Sequence, residues 1–247
     1  MGVSVRAVEL RNRKSVARAW MLAALISLTS VAASILDPSA GTNILSGLVH
    51  RESDFAPPRL VNDLRTDVAA LADAGFFNSA GSGGRAGSED TMRSALYCDP
   101  ISRDRSIGDW LAFEALFERL DLVRQELEQA IGIELLPEFE IHYVHYDQSG
   151  YYQKHTDDSI ELLDDRNSRR CVSFILYLTP PEAPWPEDGG GELRAYVEDG
   201  GHKDFLPLSG SLVLFDSCTV EHEVMPTNRK RTCLIGWFHT PAGNVIA

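Results

Sequence analysis

The chain has 247 residues, enough for one sizeable hydrophobic core, and its apolar and charged fractions are ordinary for a globular protein. The formal net charge is −13, and because residues 1–19 hold five basic side chains against one acidic one, the rest of the chain is strongly acidic. Such an acidic body repels phosphate backbones, which argues against a nucleic-acid-binding function.

Residues 1–40 are predicted to be a targeting or anchor segment that lies outside the fold. A basic stretch up to Arg18 precedes an apolar run over residues 20–36, which is long for a signal-peptide core and short for a membrane span. We expect a signal peptide or a single-pass anchor that gives membrane association through residues 20–36 and an endomembrane or secretory location. An organelle transit peptide is the alternative. Residues 41–57 are predicted as a linker, and 58–247 as the folded domain.

Two helices are predicted at the start of the domain. Apolar residues recur at helical spacing over residues 59–76, and a second such run over residues 113–131 follows a capping signal at Ser106 and Asp109. Between them, residues 78–89 are rich in glycine and serine, which is typical of a loop. This loop is either a disordered connection or, with the residues up to 93, a lid over a substrate.

Short strands are predicted over the second half of the chain. The runs 139–146, 171–178, 192–197, 211–215 and 231–239 are rich in β-forming residues and are separated by turn signals, with a hairpin connection over residues 198–204. Helices followed by strands predict a mainly β (α+β) sandwich or barrel with helical buttresses. The four cysteines show no Cys-x-x-Cys spacing, so a thiolate metal site is not expected.

Three residues are candidate metal ligands. If residues 153–157 are extended, His155 and Asp157 project to the same side, because alternate residues of a strand share a face. His222 would join them from another strand. Two histidines and one carboxylate form the facial triad of non-haem Fe(II) oxygenases. A zinc hydrolase has the same ligand count, but it gives no role to the arginine described next.

Arg231 is the candidate for binding a co-substrate. An oxygenase of this type needs a keto acid that chelates the metal, and a guanidinium binds the far carboxylate of such a molecule in two places. Strand alternation places Trp237 on the same face as Arg231, where its ring could wall the co-substrate. On residues 171–178, Tyr177 could donate its hydroxyl to the same carboxylate, or be an ordinary core tyrosine. Ile175 would be an apolar wall, and Leu193 turns inward after two glycines.

These residues carry a resemblance to the prolyl 4-hydroxylase superfamily of Fe(II)/2-oxoglutarate dioxygenases, above all to its hypoxia-sensing branch. The motifs that resemble it are Tyr146 with residues 150–157, residues 170–178, Gly190-Gly191-Glu192-Leu193, His222 with the residues up to Pro226, and Arg231 with Trp237. A segment over residues 102–110 is similar to the Arg-Gly-Asp…Trp segment of that branch. Two departures are a Tyr146–His155 spacing that is one residue shorter and a more acidic stretch after Asp157.

The resemblance implies a double-stranded β-helix, or jelly roll, with iron bound by the three candidate ligands. Arg231 and Tyr177 would hold the far carboxylate of 2-oxoglutarate. The co-substrate and substrate cavity would be lined by Tyr146, Tyr152, Leu193 and Trp237.

The implied function is a 2-oxoglutarate-dependent dioxygenase that uses Fe(II), O2 and ascorbate as reductant. It would hydroxylate a proline of a protein or peptide, as procollagen-proline and peptidyl-proline 4-dioxygenases do. The alternatives are a dioxygenase acting on another peptide residue or a small molecule, and a jelly-roll binding module that has lost catalysis.

Overall fold

The computed structural model of this protein describes residues 34–79, 92–159, 167–197, 200–244 and 246. Apart from Ser34, these residues belong to one unit, Ile35–Ala247. The predicted anchor over residues 20–36 lies almost wholly outside the described residues, as does most of the predicted loop over residues 78–89. Within the described ranges, no helix has both the length and the apolar character that crossing a bilayer requires.

Three helices, α1 (Ala40–Leu45), α2 (Pro58–Asp73) and α3 (Trp110–Ile131), lie on one side of the main sheet. Helix α3 begins where the Asp109 carboxylate accepts a hydrogen bond from the backbone N–H of Ala112, and it ends at Gly132, which has a left-handed conformation. The buried faces of α2 and α3 repeat every three or four residues, so each helix presents one apolar stripe to the core. Both predicted helices are confirmed.

In the described part of the chain, ten strands form two antiparallel sheets. Six of them pair in the order β1-β8-β5-β10-β3-β2, and the other four pair in the order β4-β9-β6-β7. Their bounds are β1 His50–Glu52, β2 Leu96–Cys98, β3 Phe139–Tyr146, β4 Tyr152–His155, β5 Ser168–Tyr177, β6 Leu193–Tyr196, β7 His202–Phe205, β8 Leu212–Asp216, β9 His222–Val224 and β10 Arg231–Pro241.

The six-stranded sheet separates two apolar layers, because alternate residues of its strands face opposite sides. Leu176 and Leu234 point to the helices, whereas Ile175 and Cys233 point to the four-stranded sheet. The core between the two sheets is therefore the interior of a β-sandwich whose outer side is buttressed by helices. The predicted mainly β fold, a double-stranded β-helix, is confirmed.

The segment predicted as a linker, residues 41–57, differs from the prediction. It contains most of α1 and the whole of β1, which pairs with β8. Ile44 and Phe55 are buried in the core, and so are Leu36 and Ala40 from the predicted targeting segment. A helix of six residues and a strand of three are too short to show a recognisable apolar period, which is why the sequence did not indicate them.

Two strands also differ in extent from their predictions. Strand β4 ends at His155 and does not continue to Asp157, and β7 begins at His202, inside the segment predicted as a hairpin connection. Residues 198–199 of that connection lie outside the described residues.

Candidate active site

Strand pairing brings the two candidate histidine ligands together. Strands β4 and β9 run antiparallel, and His155 of β4 lies directly opposite His222 of β9. Their ring centroids are 4.3 Å apart. The pairing of β4 with β9 therefore brings two residues that are far apart in the sequence into contact, as the ligand hypothesis requires.

Asp157 completes the cluster from the bend that follows β4. Its Oδ1 atom lies 3.4 Å from Nε2 of His155, and its Oδ2 atom lies 3.8 Å from Nε2 of His222. One ligand atom from each of the three residues lies within 4.8 Å of the other two. Strand alternation was the wrong reason for expecting Asp157 here, because its backbone N–H binds the carbonyl of Ser217 and that contact positions the bend.

The hydrogen bonds of the histidines leave Nε2 available to a metal. Nδ1 of His155 lies 2.7 Å from the carbonyl of Gln153, and Nδ1 of His222 lies 3.0 Å from the carbonyl of Val220. A carbonyl only accepts, so each Nδ1 carries the proton and each Nε2 presents its lone pair to the cluster.

The ionisation of the cluster also suits a cation. Burial raises the pKa of Asp157, but the neighbouring imidazoles of His222 and His155 and the Ser173 hydroxyl outweigh burial and hold that pKa below its usual value. Burial lowers the pKa of His222, against the opposing pull of Asp157. One carboxylate and two imidazoles match the donor set of a non-haem Fe(II) site.

Arg231 lies at one end of β10 with its side chain inside the jelly roll, where only 1% of the residue is exposed. The guanidinium carbon lies 4.8 Å from the ring centroid of Tyr146 and 5.1 Å from that of Tyr177. Nη1 donates to the sulfur of Cys233 at 3.3 Å, whereas Nε, Nη2 and the Tyr177 hydroxyl have no hydrogen-bond partner among the described residues. A buried polar atom without a partner costs free energy, so a ligand that accepts hydrogen bonds from these atoms would bind favourably here.

Arg231 has no counter-charge within the part of the chain that the structure describes. No carboxylate of the described residues lies within 4.0 Å of its nitrogens. Burial raises the pKa values of Tyr146, Tyr177 and Cys233, so these neighbours stay neutral at physiological pH. The guanidinium therefore fits the carboxylate of a small acid, which would supply both the charge and the missing hydrogen-bond acceptors.

A glycine pair packs beside Arg231. Gly190 and Gly191 both have positive φ angles, and a Cβ on Gly191 would stand 3.1 Å from Cδ of Arg231. Strand β6 starts two residues later, so that Leu193 is fully buried between the sheets, in the same apolar layer as Ile175. The predicted inward turn of Leu193 and the predicted apolar position of Ile175 are what the structure shows.

The two aromatic residues predicted to line the cavity lie in different places. The ring of Tyr152 stacks on His155 with centroids 3.8 Å apart, next to the candidate metal ligands. Trp237 faces the interior as predicted, but it lies six residues along β10 from Arg231, a distance of roughly 20 Å. It packs under the guanidinium of Arg170, 3.6 Å from its ring centroid. It is therefore not a wall of the Arg231 pocket.

Sequence reasoning missed two residues that touch the site. The Ser173 hydroxyl donates to Oδ2 of Asp157 at 2.6 Å, and Arg170 donates to the carbonyl of Asp157 at 3.2 Å while it pairs with Glu140 at 2.6 Å. Ser173 shares a strand face with Tyr177, so alternation could have identified it. Nothing in the sequence pairs Arg170 with Glu140, which lies on another strand.

Residues 141–239, which include all three candidate ligands and Arg231, match the family model of the 2OG-Fe(II) oxygenase superfamily. This segment belongs to the 2OG-Fe(II) oxygenase superfamily. The superfamily predicted from the motifs is confirmed, and His155, Asp157, His222 and Arg231 lie in its matched part.

Curated relatives of this superfamily match over part of their length. A PKHD-type hydroxylase of Synechococcus sp. is 33% identical over 96 residues, which are 38% of this chain and 40% of the relative. A prolyl 3,4-dihydroxylase of Ostreococcus tauri is 33% identical over 89 residues, 31% of this chain and 17% of the relative. The chain thus spans less than half the length of these relatives.

Solved structures match over more of the chain. A prolyl-4-hydroxylase of Pseudomonas putida is 28% identical with a TM-score of 0.66, over 82% of this chain and 97% of that one. A prolyl hydroxylase of Trichoplax adhaerens, solved with a peptide of the hypoxia-inducible factor, has a TM-score of 0.67 at 20% identity, over 81% of this chain and 89% of that one. At that identity the second likeness shows the fold alone, so the hypoxia-sensing branch stays a prediction.

Proposed function

We propose that this chain is an Fe(II)- and 2-oxoglutarate-dependent dioxygenase that hydroxylates a proline residue of a protein or peptide. The proposal rests on a His-Asp-His cluster that lies in the same jelly roll as a buried arginine for which the described residues supply no counter-charge. A diacid that chelates a metal needs a metal site for its chelating end and a cationic side chain for its far carboxylate, and these two features meet both needs.

Each residue of the site has its own role in the proposed reaction. His155, Asp157 and His222 would hold the metal from one side, and Ser173 fixes the Asp157 carboxylate. Arg231 and the Tyr177 hydroxyl would bind the far carboxylate and so orient 2-oxoglutarate toward the metal. Bound iron and 2-oxoglutarate together supply the activation of O2, with conversion of 2-oxoglutarate to succinate and carbon dioxide. The apolar side chains of Leu193 and Ile175 keep water away from the co-substrate position.

Proline as the substrate is supported by the relatives. The Pseudomonas putida protein, which is similar over nearly its whole length, is a prolyl-4-hydroxylase, and the Ostreococcus tauri relative is a prolyl dihydroxylase. A membrane or secretory location stays a separate prediction.

The test is succinate release with Fe(II), 2-oxoglutarate and ascorbate over a panel of proline-containing peptides, followed by mass spectrometry of the products. We expect a peptide-dependent rise in succinate and the added mass of one oxygen atom on proline. Oxygen found only on other residues would contradict the prolyl assignment, and a small molecule that alone stimulates succinate release would indicate a different substrate class.

The first predicted variant is His155→Ala, which removes one of three ligands. We expect it to abolish succinate release, because a metal held by two side chains is bound weakly and without defined geometry. His202→Ala is the control, since His202 lies on the same four-stranded sheet with 46% of its side chain exposed. Succinate release that survives in His155→Ala at the wild-type rate would overturn the metal assignment.

A further inference from the structure

A cavity of about 410 Å³, called the second cavity because it is separate from the Arg231 site, lies on the opposite side of β3, β5 and β10 from the Arg231 side chain. Tyr146, Tyr177 and Arg231 point into the jelly roll. Because side chains alternate along a strand, their immediate neighbours face the other way. Those neighbours line the second cavity: His145, Leu178 and Thr232. One layer of backbone therefore separates this cavity from the Arg231 side chain, and the two are distinct sites.

The second cavity is basic. Arg65, Arg229 and Lys230 line it, and no aspartate or glutamate does. None of the described carboxylates lies within 4.0 Å of Arg65 or Arg229, and the one near Lys230, that of Asp147, forms a pair in which both side chains are mostly exposed. Such an exposed pair contributes little free energy. The chain as a whole has a net charge of −13, but three cationic side chains surround this cavity. The local positive charge favours the binding of an anion.

The cavity also has an apolar and aromatic wall. Trp185 is buried, and its indole N–H is fixed by a hydrogen bond of 2.9 Å to the carbonyl of Gly190. The guanidinium carbon of Arg229 lies 5.4 Å from the centroid of the Trp185 ring, and Leu178 and Pro180 complete the wall. Its volume falls within the range of small-molecule pockets, which combine apolar walls with a few polar groups.

We propose that this cavity is a second ligand site, which binds a small organic anion with a carboxylate or phosphate group on an apolar ring or chain. Arg229 and Lys230 bind the anionic group at the mouth, with Arg65 on the other side of it. Trp185 and Leu178 contact the apolar part. The site is independent of the metal cluster, so the proposal stands whether or not the chain is a dioxygenase.

The test is a titration of the 15N-labelled protein with phenyl phosphate, observed by NMR at the indole N–H of Trp185, which a Trp185→Phe variant assigns. We expect a saturable shift. Phenylacetate is titrated in parallel: saturation by both probes indicates a site for either anion, and saturation by phenyl phosphate alone indicates a phosphate site. Benzyl alcohol, which is similar in shape but neutral, should give no saturation, and equal saturation by it would overturn the anion assignment.

Variants locate the binding. Arg229→Gln should weaken phenyl phosphate binding by about tenfold or more, the loss expected for one charge-assisted hydrogen bond. Arg59→Gln is the matched control, because it removes the same charge from α2 at a side chain that is 93% exposed. Arg231→Gln should leave phenyl phosphate binding unchanged. No saturation up to about 10 mM, an unchanged affinity in Arg229→Gln, or a loss of binding in Arg231→Gln would each overturn the proposal.

Discussion

An arginine is buried on each side of the main sheet, and the two arginines differ in whether a carboxylate neutralises them. On the helix side, the Arg103 side chain is fully buried and donates to Asp67, which also accepts from the Tyr143 hydroxyl at 2.8 Å and from the backbone N–H of Asp109 at 2.7 Å. On the jelly-roll side, Arg231 is as deeply buried and has no carboxylate among the described residues.

This difference distinguishes a structural charge from a functional one. Asp67 belongs to α2, Tyr143 to β3 and Arg103 to the loop before α3, so the ion pair joins three parts of the fold. A buried charge that the fold neutralises is part of the architecture, whereas a buried charge that the fold leaves alone is held for a ligand.

The largest expected effect follows from breaking the structural pair. Asp67→Asn removes the negative charge that neutralises the buried Arg103 guanidinium and should lower the free energy of unfolding by about 3–5 kcal/mol. Urea unfolding measures it, with Asp63→Asn as control, because Asp63 is a half-exposed residue of the same helix in an exposed pair with Arg59. Equal stability of Asp67→Asn and wild type would contradict the structural role.

Replacing Arg231 should not lower the free energy of unfolding, in contrast to Asp67→Asn. Arg231→Met removes a buried charge that no carboxylate of the described residues neutralises, so the free energy of unfolding of the ligand-free protein should stay the same or rise. A large destabilisation of Arg231→Met would mean that the fold itself neutralises Arg231, and the comparison between the two arginines would fail.

A smaller effect is expected at the hydroxyl that fixes the candidate ligand Asp157. Ser173→Ala removes the 2.6 Å hydrogen bond to its Oδ2 atom and should weaken metal affinity by about 10–100-fold. Equilibrium competition with a chelator measures this affinity. Ser168→Ala removes a hydroxyl from the same strand without touching Asp157 and should bind metal as the wild type does. If both variants bind alike, Ser173 does not position the ligand.

The smallest effect on stability is expected at the ion pair between Arg170 and Glu140, which lies at the edge of the jelly-roll side. Burial raises the pKa of Glu140, but hydrogen bonds from His239 and Arg170 outweigh burial and lower that pKa to about 2. Because the folded-state pKa is depressed, the stabilisation is present above the ordinary value near 4.5 and is lost as the pH falls toward about 2.

Glu140→Gln should therefore lower stability at pH 7 by only ~1 kcal/mol, since the carboxylate side chain is 36% exposed and partly screened by solvent. Urea unfolding at pH 7 and at lower pH measures the difference between the variant and the wild type. This difference should shrink as the pH is lowered below about 4.5. A difference that stays constant with pH would show that the ion pair does not contribute in this way.

The sequence allowed the long elements and the ligand types to be predicted, because α2, α3, β3 and β10 have clear apolar periods. The metal site and the carboxylate-binding position were predicted from the residue types at 155, 157, 222 and 231. The sequence could not show that His222 pairs with His155 across β4 and β9, since β9 has three residues and no period. It also could not show that Arg103 and Arg231 differ, because a missing counter-charge is a property of packing rather than of composition.

The central claim is that Arg231 binds the far carboxylate of 2-oxoglutarate. The most direct test is the affinity of the Fe(II)-loaded protein, without oxygen, for 2-oxoglutarate and for pyruvate, a keto acid that lacks this carboxylate. The wild type should prefer 2-oxoglutarate by about 30-fold or more, and Arg231→Gln should bind the two acids with similar affinity. An undiminished preference in Arg231→Gln would contradict the account.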